Sequence, residues 1–199
     1  MILATLVAAL FPKSVLAQAG DAGSPGDQVR VLEVPYASQG KTNWCFITSL
    51  SMVLRYYGKP AETLEIAADL GDGPQRSVNI ADIFFGEIAG YLSQWPGLST
   101  EYRWGVWGFR DYTAAIDSGA PVIVSSFGLP FTRPGHSVVV IGYKIIDGEE
   151  YVYVHDPSGY LTNLRWKGHT ASYACVSWQT FREYSGLAWS HVVVSATVS

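Results

Sequence analysis

Apolar positions recur along the chain with two different periods. Ile47, Leu50, Leu54 and Tyr57 are spaced by three and four residues, and Phe46 and Val53 widen the stripe into one face of an α-helix. Asn43 is the expected N-cap, and Gly58 followed by Pro60 is the expected stop. Weaker helical patterns cover Ala61–Leu70 and Asn79–Gln94, the latter carried by Ile80, Phe84, Ile88 and Tyr91. A fourth helix is expected over Phe109–Ser118, stopped by Gly119. Beyond Pro121 strands take over. Val122–Phe127 is a continuous apolar run suited to a buried strand, and Ser137–Ile145 and Tyr151–His155 flank Asp147-Gly148, a hairpin signal. Leu187–Val198 supplies a last strand, and Val31–Tyr36 a short one ahead of the first helix. Helices first and an antiparallel sheet afterwards predict an α+β fold with the first helix packed on the sheet.

Length bounds this to one domain: the chain has 199 residues, of which 29–199 read as globular. The longest apolar stretch, Ile2–Phe11, is half of the roughly 20 residues that a membrane-spanning helix needs. With the small residues up to Ala19 it predicts a secretory signal over residues 1–19, cleaved after Ala19, and a flexible leader over 20–28; no Lys or Arg precedes the apolar core, so an N-terminal helix of the mature chain is the alternative. The expected mature chain is exported and has no integral membrane segment. A net charge of −4 and a charged fraction of 15% argue against nucleic acid as a partner, which would call for clustered positive charge. Aromatic residues make up 14% of the chain, more than its core needs, so some are expected to line a binding surface.

Cys45 falls in the first turn of the expected first helix, at its second position if Asn43 is the cap. There the unpaired backbone N–H groups and the positive end of the helix dipole favour a thiolate. Gln39, six residues earlier, carries an amide able to donate to an oxyanion beside the Cys45 N–H. His136 opens one strand of the hairpin and Asp156 ends the other. Together they supply a nucleophile (Cys45), a base (His136), an orienting carboxylate (Asp156) and an oxyanion donor (Gln39). Trp44, next to the nucleophile, is expected to wall the substrate cleft, with packing of the helix start as the other use for it.

Three rival readings bear on these residues. Two cysteines in an exported chain suit a Cys45–Cys175 disulfide, but a structural cysteine needs neither Gln39 nor a helix start. A zinc site is disfavoured because the histidines lack ligand spacing, and no metal or other cofactor is expected. His191 precedes a similar Val-rich strand without a following acid, and reads as a sheet histidine; His155 must point away from Asp156, and His169 lies in a polar loop. The hairpin carries its own condition. A strict two-residue turn puts Asp156 opposite Val139, on the wrong face for His136, so the catalytic reading requires a longer loop or a bulge.

At these residues the chain resembles the papain-like cysteine peptidases, and among them the bacteriocin leader peptidases that cut after a double glycine. Val34-Pro35-Tyr36-Ala37-Ser38-Gln39 and Trp44-Cys45, leading into Ser49–Gly58, are similar to that family's nucleophile region. Gly135-His136-Ser137 through Tyr143, and Val154-His155-Asp156-Pro157, are similar to its histidine and aspartate blocks. The resemblance implies a papain-like thiol hydrolase fold but not a substrate; taken with the expected signal, the leading reading is an exported thiol peptidase that attacks a carbonyl of a peptide or protein substrate through Cys45 to form an acyl-enzyme. Phe46 and Ile47 stand where that family often has small residues, and no transporter is fused within this sequence, so double-glycine specificity is not carried over. An amidase or acyl transferase built on the same residues, or a peptide-binding module without turnover, are the alternatives.

Overall fold

The spine of the molecule is strand β4 (His136–Ile146), whose two edges and two halves engage three different partners. The structure, a computed structural model, describes residues 26–70, 91–92, 94–126, 135–164 and 166–197. The expected signal 1–19, most of the leader 20–28 and most of the helix expected over 79–94 lie outside these residues. Along one edge of β4, β3 (Val122–Ser126) pairs with its first half and β1 (Gln28–Val31) with its second. Along the other edge runs β5 (Glu149–His155), joined to β4 by the two-residue turn Asp147-Gly148. Both turn residues have positive φ, 51° and 80°, the conformation that a tight hairpin between right-twisted strands demands. With β2 (Leu98–Trp104), β6 (Ala174–Ser177) and β7 (Ala188–Ala196), the described strands form a seven-stranded sheet in the order β2-β7-β3-β4-β5-β6, with β1 beside β4.

All five residues of β3 are buried, and successive residues of a strand point to opposite faces, so helices cover the sheet on both sides. Helix α1 (Cys45–Tyr56) packs on β3 and β4, and α3 (Phe109–Asp117) on β1, β3 and β4. Helix α2 (Thr63–Asp69) lies against α1, while α5 (Trp178–Ser185) covers β3, β5 and β6. A short helix, α4 (Tyr160–Leu164), follows β5. The α+β architecture is thus the expected one, with the start of α1 brought against the sheet.

The observed elements differ from the sequence reading in several places. The first strand lies at Gln28–Val31 rather than Val31–Tyr36: Leu32 N–H still donates to Ile141 O at 2.8 Å, but Val34 turns back to Leu32 O, and Pro35 has no N–H to extend a ladder. Helix α1 begins one residue later than expected, with Trp44 as N-cap, which makes Cys45 its first residue. Strand β2 was not expected although Leu98, Thr100, Tyr102 and Trp104 alternate with Ser99, Glu101 and Arg103. Helix α5 was also missed; Ser177 caps it by accepting from Thr180 N–H.

Candidate active site

Cys45, His136 and Asp156 converge where the start of α1 meets the first residue of β4 and the chain leaving β5. Backbone N–H groups of Phe46 and Ser137 donate to the Cys45 sulfur, and His136 hydrogen-bonds to it. Burial alone would push this thiol up, but the hydrogen bond and charge of His136, with the two N–H groups, hold it below its ordinary value. His136 Nε2 lies 2.7 Å from Asp156 Oδ1, and its side chain is only 13% exposed. Burial works against the imidazolium, yet Asp156 and Cys45 on its two sides push His136 up to about 9. The carboxylate of Asp156 is fully buried, which by itself would raise it; His136 and the N–H groups of Leu161 and Ser158 bring it down instead.

The register that joins His136 to Asp156 is set by one residue. Ile146 pairs with Glu149 across the two-residue turn, but the pairing then shifts, Gly142 facing Tyr153 and Val140 facing Val154, which leaves Ile141 as a bulge. Beyond the bulge Val139 faces His155, so Asp156 follows on opposite Val138 and shares a face with His136. Without the extra residue the carboxylate would lie on the other face. Of the two irregularities that the hairpin permitted, the molecule uses the bulge.

Gln39 lies in the turn ahead of α1, tied to the aspartate segment by Gln39 N–H donating to Pro157 O at 2.9 Å. Thr42 closes this turn, donating its hydroxyl to Gln39 O at 2.7 Å, while Gln39 Nε2 donates to Thr42 O. A primary amide has two hydrogens on nitrogen, so one remains for a further acceptor. Trp44 is 8% exposed and belongs to the core, which makes it a prop for the helix start with little surface to offer a cleft.

The remaining histidines are placed apart from this chemistry. His155 Nε2–H donates to Val34 O at 2.9 Å and its Nδ1 accepts from Tyr173 N–H at 3.0 Å. His191 is buried, stacked on Trp107 at 4.4 Å and 2.8 Å from the Tyr112 hydroxyl. His169 is exposed. Cys45 and Cys175 are both free thiols, Cys175 lying on β6 opposite Tyr153, so the disulfide reading does not hold. Among the described residues no three His, Cys, Asp or Glu side chains are grouped to hold a metal ion.

Sequence reasoning overlooked three residues around the histidine. Tyr184 Oη is 2.7 Å from His136 O, the Tyr160 ring meets the His136 ring edge-on at 5.9 Å, and Ser158 touches both His136 and Asp156. Only Ser158 had a signal: a serine two residues after an aspartate is the pattern of a turn closed on the carboxylate.

A sheet backed by a helix that carries a cysteine at its start, with histidine and aspartate on neighbouring strands, is the architecture of the papain-like cysteine peptidases. Residues 31–186 match the model of the Peptidase_C39 like family, and the chain belongs to that family. Two of the solved structures that share the fold illustrate it. One is a double glycine motif protease from an AMS/PCAT transporter in complex with the leader peptide: TM-score 0.52 and 18% identity, over 84% of this chain and 95% of that one. The other is the peptidase domain of Streptococcus ComA, a bi-functional ABC transporter of a quorum-sensing pathway: TM-score 0.55 and 14% identity, over 82% of this chain and 99% of that one. No curated protein matches the chain.

Proposed function

We propose that this member of the family is an exported cysteine peptidase in which Cys45 is the nucleophile, His136 the acid–base, Asp156 its orienting partner and Gln39 an oxyanion donor. The observation that carries the reading is the continuous hydrogen-bonded series from the Cys45 sulfur through His136 to the buried Asp156, with Nε2 and Oδ1 2.7 Å apart. Such a series stabilises a thiolate–imidazolium pair, the reactive form of a thiol at neutral pH. The thiolate attacks a peptide carbonyl, and negative charge develops on its oxygen. The Cys45 N–H, at the first position of α1 where backbone donors have no intrahelical acceptor, and the second Gln39 amide hydrogen are the donors for that charge. His136 then protonates the departing amine and next takes a proton from the water that hydrolyses the acyl-enzyme.

A peptide as substrate class is supported by the related protease held in complex with its leader peptide. Export is supported by the sequence of residues 1–19. The direct test is a covalent, thiol-directed peptidyl probe on the purified protein beside Cys45→Ala and His136→Ala. Labelling of the wild type at Cys45, absent from both variants, is expected together with peptide cleavage; equal cleavage by Cys45→Ala would end the proposal.

A further inference from the structure

We infer that Ser158 is a positioning residue of this site: its hydroxyl anchors the Asp156 carboxylate and closes the solvent side of the His136–Asp156 hydrogen bond. The inference rests on the thiol-peptidase reading and adds to it a residue that neither the motif reading nor the resemblance singled out. Ser158 Oγ lies 3.1 Å from Asp156 Oδ1, 3.3 Å from His136 Nε2 and 2.9 Å from Tyr160 N.

The proton inventory leaves one assignment. A carboxylate only accepts, so the single hydroxyl proton goes to Oδ1; the Tyr160 N–H only donates, so it takes one lone pair of Oγ. The other lone pair faces the Nε2–H of His136, which already donates to Oδ1. Ser158 is therefore no second nucleophile. Its nearest base, Nε2, carries a hydrogen, and its own proton belongs to Asp156.

The place of the hydroxyl explains why this matters. Asp156 is fully buried and the His136 side chain nearly so, whereas Ser158 is exposed, so its hydroxyl stands between their hydrogen bond and water. Water in that place would compete for both partners. The hydroxyl and the Ser158 N–H, 3.1 Å from Oδ1, instead keep the carboxylate aimed at the ring. Among the described residues, the titratable groups that face His136 are Cys45 from α1, Asp156 after β5, Tyr160 from α4 and Tyr184 from α5. Burial holds the Tyr184 hydroxyl protonated, far above its ordinary value.

The test follows Cys45 alkylation by iodoacetamide across about pH 4 to 10, a range that spans the relevant titrations. It compares wild type, Ser158→Ala, Ser158→Thr and His136→Ala, with melting temperature recorded for each. In Ser158→Ala the upper inflection, where the imidazolium is lost, should move down and the lower one up, by about half a unit to one unit. The rate at about pH 5 should fall roughly three- to tenfold. Ser158→Thr, which keeps the hydroxyl, should restore the wild-type profile. A Ser158→Ala profile that superimposes on wild type overturns the inference, as does a lowered melting temperature with unmoved inflections, or a threonine that behaves like alanine. If wild-type Cys45 reacts no faster at about pH 6 than in His136→Ala, the peptidase reading itself fails and the inference with it.

Discussion

Among the described residues, each hydrogen-bond partner of the Asp156 carboxylate is a donor. Oδ1 takes His136 Nε2–H, the Ser158 hydroxyl and the Ser158 N–H, and Oδ2 takes Leu161 N–H at 2.8 Å. An asparagine there keeps one acceptor oxygen but must aim its NH2 at another N–H in a buried site. Asp156→Asn is therefore expected to cost about 1–3 kcal/mol of stability by urea unfolding, besides its loss of activity. A variant as stable as wild type would mean that the carboxylate is not needed to hold this turn. Gln39 calls for a different outcome. Because the Cys45 N–H remains, Gln39→Ala should lose about 10²- to 10³-fold in kcat and retain measurable turnover above Cys45→Ala in a peptide-cleavage assay.

At the scale of elements, the bulge in β4 and the glycine beside it act together. Gly142 faces Val31 of β1, and a Cβ on Gly142 would stand 2.5 Å from Arg30 O and 2.8 Å from Val31 Cα, both backbone. Gly142→Ala must push β1 away from β4 just where the register shifts. A loss of about 1–3 kcal/mol is expected, read as a lowered urea midpoint, and the low-pH reactivity of Cys45 should weaken with it as the strand that carries His136 loosens. An unchanged midpoint would mean that β1 yields freely. The elements missed from sequence divide by cause. Strand β2 shows a clear period of two, whereas β6 has four residues and α4 five, too short for any period to register.

For the molecule as a whole, two buried histidines shape its response to acid. Burial depresses both His155 and His191 to about 4, below the 6.5 of a free histidine. Between these values the unfolded chain binds more protons than the folded one, so stability falls as pH drops from about 6.5 to 4, by up to ~3 kcal/mol for each group. Asp156 works in a lower window: its folded value is depressed, so its contribution stands above about pH 4 and is lost below it. Urea midpoints should decline steadily between about pH 6.5 and 4.5, and a flat midpoint over that range would contradict the role of the two histidines. His155 links this to the site, since its two ring nitrogens tie Val34, in the segment leading to Gln39, to Tyr173.

Local chemistry was enough to read the helix behind Cys45, the tight Asp147-Gly148 turn, the buried run of β3 and the candidate roles of Cys45, His136 and Asp156. Each of these depends on residues within a few positions of one another: a stripe of period 3.6, a pair of turn residues, a short apolar run. The meeting of His136 with Asp156 is of another kind. It depends on one extra residue, Ile141, and nothing in the local pattern says whether Ile141 pairs or bulges. Only the close approach of β1 at Gly142 and the packing of three strands on β4 decide it. Ser158 depends on the same tertiary decision, because its hydroxyl gains a role at the base only after the bulge has brought Asp156 to the histidine's face.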